Sequence, residues 1–300
     1  MAFRLREDES VAKGLSRVVR KELRSAVDRL TSGSSNEAIH DARKRIKKVR
    51  AVLQLVGDGF ASERALKQLR RASHLLSPLR DMDAMIEIAG SLRREGDTDS
   101  AHLAAAIGTQ LKTDKARLHA AAGRDQVRVE AARALKRVRR DARRWRWKDI
   151  DSQVLAKAVK RSYKRARNRM QDARVEQQPD TFHEWRKRVK TLWYGLRLIE
   201  SRAPRLRRPI ADFKRLETWL GDDHNLVVLE KHFGSPKAER IGTRTHAHLR
   251  ALIGQRQREL RRQALAIGAR LFAHSPKAFA QRLRDTRDTH KRPQRSTAAA

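Results

Sequence analysis

The sequence predicts an all-α protein: two pseudo-symmetric helical bundles from an internal duplication, around a basic central cleft. Three observations lead there. Apolar residues recur at three- and four-residue steps along nearly the whole chain, the period of a helix buried on one face. Alternating β-branched runs flanking a hairpin turn are absent. The second half of the chain repeats motifs of the first.

Each element has its own justification. Val11, Leu15, Val18, Val19, Leu23, Val27 and Leu30 give the first helix, at roughly 9–31. Ser32-Gly33-Ser34-Ser35 breaks it, and Ile46, Val49, Leu53 and Val56 give the second, at roughly 36–57, closed by Gly57-Asp58-Gly59. A third, at roughly 61–77, stops at Pro78, because proline disfavours helix in the residue before it. Further helices are expected at roughly 81–95, 100–122, 125–143, 151–172 and 179–202. Pro204 and Pro209 frame the next turn, before helices at roughly 205–221, 223–233, 236–272 and 276–285. Asp81 and Asn225 are expected to cap the helices they begin. The polar, basic end, residues 286–300, reads as a disordered tail.

Composition bounds the function. Three hundred residues allow one large domain or two ordinary ones. Lys+Arg number 71 against 35 Asp+Glu, a net charge of +36, with a pI near 11.6. Apolar residues make 39% of the chain, below the usual share of about 45–50% but enough to build a core in a chain this long. Mean hydropathy is −0.77 and no run of about 18 apolar residues occurs, so no membrane span is expected. The first eight residues lack the apolar stretch of a signal peptide. Cysteine is absent, which excludes disulfides, cysteine–zinc sites and thiol nucleophiles and fits a reducing compartment such as the cytoplasm. A chain at +36 repels itself, and a polyanionic partner explains it most simply.

The repeat is explicit. His40-Asp41-Ala42-Arg43-Lys44-Arg45-Ile46-Lys47 returns as His183-Glu184-Trp185-Arg186-Lys187-Arg188-Val189-Lys190, at an offset of 143. Leu76-Ser77-Pro78-Leu79-Arg80-Asp81-Met82 aligns with Leu220-Gly221-Asp222-Asp223-His224-Asn225-Leu226. In the preceding helix, at an offset of 140, Leu15, Val19 and Leu23 fall on Leu155, Val159 and Tyr163. The halves are read as 1–145 and 146–285, with the boundary near Trp145-Arg146-Trp147. Opposed copies of one helix would then face a shared cleft.

On a helical projection His40, Arg43, Lys44, Lys47 and Arg50 share an arc of about 120°, opposite Ile46, Val49, Leu53 and Val56. His183, Arg186, Lys187 and Lys190 occupy the same arc of the second copy. Most charge runs are solvated faces, but a solvated helix normally mixes Glu with Lys, and neither arc contains an acid. A second basic stripe, Arg17, Arg20, Lys21 and Arg24, has the basic counterparts Lys157, Lys160, Arg161 and Lys164. Lys67, Arg70 and Arg71 add charge on the third helix, with Lys214 and Arg215 in the repeat.

The histidines lie about one turn inside a helix start, Ser35 acting as N-cap before His40 and Pro179 taking the first position before His183. Such places favour anions. Two roles stay open for each histidine: a core residue hydrogen-bonded within the bundle, or a phosphate contact that charges when phosphate arrives. Catalytic readings fare worse. His40-Asp41 matches the dipeptide of metal phosphohydrolases, but its neighbours are cations that would repel a metal. Gly-rich phosphate loops, Ser/His/Asp arrangements and a Glu-x-Glu-x-Lys triphosphatase strand are absent. No enzyme activity, metal or cofactor is expected. Nucleic acid is the rival partner, since charge and pI meet its first test. Base readers and stacking platforms are harder to find, although Trp185 and Trp193 lie near the second arc.

The paired His-x-x-Arg-Lys-x-x-Lys helices, the following Leu-x-x-Leu-Arg-Asp and Leu-Gly-x-x-His-Asn segments and the duplication resemble the CHAD family, the conserved histidine α-helical domain. The resemblance covers about residues 1–285. It implies two helical bundles around a basic channel that binds inorganic polyphosphate, with some members at polyphosphate granules. Others follow a CYTH triphosphatase domain, which is not seen here. By motif position the contacts would be His40, Arg43, Lys44, Lys47, Arg50, His183, Arg186, Lys187 and Lys190. The chain departs from the pattern where Trp193 stands against Arg50 of the first copy and where His224-Asn225 replaces an Arg/Asn-Asp pair. The second half would then grip less tightly, or use the tryptophan as a wall. Together these readings predict a non-catalytic polyphosphate-binding protein, with nonspecific nucleic-acid binding as the alternative.

Overall fold

The computed structural model describes residues 3–32, 36–57, 60–95, 98–121, 124–234 and 242–288. Among them are eleven α-helices, three short 3-10 turns and no strand. The first six helices are α1 (Val11–Ser32), α2 (Asn36–Val56), α3 (Glu63–Leu75), α4 (Ser77–Glu95), α5 (Thr98–Ala121) and α6 (Arg124–Asp141). The next five are α7 (Ser152–Glu176), α8 (Pro179–Ile199), α9 (Arg207–Phe233), α10 (Thr243–Leu271) and α11 (Pro276–Asp288). None is long and apolar enough to cross a membrane.

Local chemistry sets most of the limits. The Ser10 hydroxyl accepts from Lys13 N at 3.2 Å and caps α1. Gly57, at φ 118°, ends α2 in a conformation that side chains resist. Ser62 caps α3, and Asp151 caps α7 by accepting from Gln153 N and Val154 N. Pro179 opens α8, as its missing N–H requires. Ser35, Asp58, Gly59 and Ile241 lie outside the described residues, as does the tail beyond Asp288; residues 286–288, expected in that tail, belong to α11.

Two expectations are corrected. The break expected near Gly221-Asp222 does not occur, and α9 runs unbroken through both segments. A lone glycine in a helix costs only about 1 kcal/mol, which flanking burial of Leu216, Leu220 and Leu226 outweighs. Asn225 therefore lies mid-helix and caps nothing, and Asp81 is the fifth residue of α4, where its carboxylate lies 3.7 Å from the Arg43 guanidinium instead.

The side chains bury into two hydrophobic clusters. The larger joins α1, α2, α3, α6, α7, α8 and α11 with the start of α9 and the end of α10. The smaller joins α4 and α5 with the end of α9 and much of α10. Each draws on both halves of the chain, so residues 1–145 and 146–285 pack against each other in both clusters. Helix α9 passes from one cluster to the other: Ile210, Phe213, Leu216 and Leu220 serve the larger, Leu226, Leu229 and Phe233 the smaller. Helices α2 and α8 lie against each other at the centre. Gly195 permits their approach, since a Cβ there would sit 3.2 Å from the Leu55 methyls.

Candidate functional site

The α2–α8 contact brings the two basic arcs together. Lys47 is half-buried, and burial pushes its ammonium down to about 7; the positive charges of Lys190, Arg43 and Arg186 push the same way, against Glu217. Cations from both arcs thus act on one another at close range. Burial lowers Lys190 as well, with Arg186 and Lys214 adding to it and Glu217 opposing. Arg50 is also lowered by burial and then by Arg70.

Helix α9 supplies what the arcs lack. Glu217, 5% exposed, accepts from Lys190 Nζ and Lys214 Nζ, each at 2.8 Å. Burial alone would raise its carboxyl, but the two lysines outweigh burial and hold it at about 2. One turn on, Gly221 lies under the Arg186 guanidinium, whose Nε would be 3.4 Å from a Cβ there. Asp222 is raised by burial to about 6, against the pull of Arg256 and Arg186. The His224 ring lies against His183 at a tilt of 34°, with ring centroids 4.0 Å apart. Burial, followed by nearby positive charge that includes Arg186 and Lys187, lowers His224 to about 3, and burial with Lys187 and Arg186 lowers His183 as well. His183 Nδ1 and Arg186 Nε are buried atoms with no hydrogen-bond partner.

The remaining expected residues divide. His40 and Lys44 are exposed on the rim of α2. Lys187 is exposed and donates to Glu184 at 2.5 Å, so an acid does touch the second arc, one turn back. The α1 stripe does not join the α2–α8 cluster. Arg17, Arg20, Lys21 and Arg24 line a separate groove of about 1260 Å³ with Trp147 and Lys148. Arg17 there is held by Glu9, at 2.9 and 2.5 Å, and by Arg4 O at 3.0 Å, and it keeps Glu9 at about 2. Lys157, Lys160 and Lys164 are exposed on α7, and Arg161 lines a third region between α7 and α8. Arg71 pairs with Glu130 at 3.2 Å, Lys67 with Glu63 at 3.1 Å and Arg215 with Asp212 at 3.7 Å. Lys214 alone of that outer set reaches the cluster, through Glu217.

The tryptophans form no platform. Trp193 is buried, with Arg197 and Lys214 over its ring at 5.1 and 5.0 Å. It walls the cationic cluster from the core side. Trp185 is fully buried beside Phe182, and Trp145 and Trp147 pack on Phe60. Trp219 of α9 and Phe60 are partly exposed, and the remaining aromatic rings are buried. Sequence reasoning missed Glu217, Asp222, His224 and Asp81 as members of the site. The one available signal for the first three was their place beside the second Leu-Gly motif. No cluster of His, Asp and Glu among the described residues has the form of a metal site.

The comparisons agree with this architecture. No curated protein matches the chain. A crystal structure of the CHAD domain from the plant Ricinus communis is similar over 91% of this chain and 96% of its own, at a TM-score of 0.67 and 18% identity. Residues 17–234 match the CHAD domain family, which places both basic helices and the α9 carboxylates inside the matched region, and the chain belongs to that family.

Proposed function

We propose that the protein binds inorganic polyphosphate at the α2–α8 cluster, without catalysis. The observation that carries this reading is the convergence of Lys47, Arg43, Lys190 and Arg186 from two helices at one buried place. Cations gathered at such mutual cost call for closely spaced negative charge. Linked phosphates supply it, and the CHAD resemblance implies the same ligand. Arginines grip phosphoryl oxygens in pairs of hydrogen bonds, while lysines act as point charges. His183 Nδ1 and Arg186 Nε supply polar atoms still open to a partner. Cytoplasmic placement, with association to polyphosphate granules, follows from this reading.

Nucleic acid offers phosphate at wider spacing together with bases. Most aromatic rings are buried and only Phe60 and Trp219 are partly exposed, which leaves little surface on which bases could stack. The test is competition between long-chain polyphosphate and single- or double-stranded DNA at about 0.15 M salt. Polyphosphate is expected to displace DNA at lower phosphate-equivalent concentration. If DNA wins, the nucleic-acid reading takes over.

A further inference from the structure

The two halves treat one buried position differently. In the first, Glu22 of α1 is 5% exposed and accepts from Arg45 Nη1 at 3.1 Å and Lys48 Nζ at 3.0 Å on α2. In the repeat alignment Arg45 and Lys48 fall on Arg188 and Thr191, and Glu22 falls on Ser162. Ser162 is also buried, at 7% exposed, so the second half keeps the site but drops the carboxylate. Its helices keep four cations there, Arg165 standing where the first half has Ser25 and Thr191 where it has Lys48. A groove of about 960 Å³ lies between α7, α8 and the end of α2, lined by Arg161, Arg165, Arg169 and Arg188. The single acid on its wall, Asp172, already accepts from Arg169 at 2.7 Å. Arg161, Arg165 and Arg188 make no hydrogen bond or ion pair among the described residues.

We infer that this groove is a second anion site, taking a short oligophosphate whose oxygens replace the carboxylate that Glu22 provides in the first half. Four arginines against one aspartate leave three positive charges in the groove. Guanidiniums match phosphoryl oxygens two at a time, and the Ser162 hydroxyl lies on the same wall, whereas Thr191 already donates to Gln54 Oε1 at 2.8 Å. Pockets of about 300–1,000 Å³ hold whole small molecules, so one orthophosphate would fill little of this space. The site stands apart from the α2–α8 cluster: around α8, Arg188 is turned away from Arg186 and Lys190 by more than about 100°.

Three variants of the full chain test the inference by calorimetry with tripolyphosphate, against orthophosphate, long-chain polyphosphate and single-stranded DNA. Ser162→Glu installs the missing carboxylate beside Arg188. It is expected to raise the melting temperature without ligand and to weaken one class of tripolyphosphate site at least tenfold. Arg161→Gln with Arg188→Gln should weaken the same class, while Lys47→Gln should leave it unchanged. Wild-type isotherms retained by Ser162→Glu and by the arginine variant would overturn the inference, as would orthophosphate acting equally well per phosphate. Arginine-selective modification of the wild-type chain needs no variant to fold: tripolyphosphate should protect Arg161, Arg165 and Arg188, and unchanged labelling would refute the site. Long-chain polyphosphate weakened by Ser162→Glu with no tripolyphosphate bound would make the groove part of the longer chain's path and overturn the short-ligand assignment. Displacement by single-stranded DNA at equal phosphate would overturn it in favour of nucleic acid. The α2–α8 reading has its own tests: it fails if DNA outcompetes long-chain polyphosphate or if Lys47→Gln leaves long-chain binding intact.

Discussion

Lys47 should make polyphosphate binding consume protons. Its ammonium is pushed down to about 7 from the ordinary value of 10.5, by burial first and then by Lys190, Arg43 and Arg186, with Glu217 opposing. A bound polyanion removes that cost and returns the group toward its ordinary value. Near pH 7 about half of the empty protein must take up a proton at Lys47 to bind. With values of about 7 empty and 10.5 bound, affinity falls about 50-fold between pH 7 and pH 9, or about 2.3 kcal/mol, and changes less than about twofold between pH 7 and pH 6. Lys190, lowered for the same reasons, acts in the same direction. The assay is calorimetry in two buffers of different ionisation heat, repeated across pH. Lys47→Arg, always charged, should abolish most of the proton uptake. Equal apparent heats in both buffers, with affinity level from pH 7 to 9, would refute the coupling. The same depression governs stability: the unfolded chain binds the proton that the folded chain has lost, so this group's contribution to stability rises with pH between about 7 and 10.5.

Glu22→Gln should destabilise the fold by about 3–5 kcal/mol, because Arg45 and Lys48 lose their buried partner, and a thermal melt of a chain this size reads it as a fall of about 5–8 °C. Polyphosphate affinity should be little changed. Glu217→Gln should tighten polyphosphate binding while lowering the melting temperature of the empty protein; equal affinity would show that Glu217 is remote from bound phosphate. Since the Glu217 carboxyl is held at about 2 against an ordinary 4.5, its stabilising charge is fully present above about pH 4.5 and is lost as pH falls toward 2, which an acid titration of wild type against Glu217→Gln measures. Arg43→Gln with Lys47→Gln, and Arg186→Gln with Lys190→Gln, should each weaken long-chain binding at least tenfold; a halved stoichiometry with unchanged affinity would mean two independent sites. Polyphosphate should raise the melting temperature at far lower phosphate concentration than orthophosphate or sodium chloride at matched ionic strength, because linked phosphates fill neighbouring positions together. Equal shifts would mean plain screening.

The helical fold was legible because each helix carries its own periodic apolar face. The cationic arcs were legible for the same reason: Arg43, Lys47, Arg186 and Lys190 share helix faces whose spacing is local. Their countercharges were not. Glu217 and Asp222 come from α9 and Asp81 from α4, and only tertiary contact sets them against α2 and α8. Arg17 shows the opposite limit. Its stripe has the spacing of a binding face, but it lines a groove apart from α2 and α8, where Glu9, eight residues back, pairs with Arg17. Spacing along one helix reports which residues face the same way, and is silent about what they face.

Helix α9 is one hydrogen-bonded rod of 27 residues, about 40 Å long, shared by two hydrophobic clusters. Its polar stretch from Glu217 to His224 lies where one cluster gives way to the other. The α4–α5 layer and the larger cluster therefore form two units able to open separately in hydrogen exchange, joined through this rod and through α10, which also serves both clusters. A polyanion held against residues 217–224 clamps the joint itself. Amides of α4 and α5, remote from any phosphate, should then slow their exchange together with those of α8 when ligand binds, turning two openings into one.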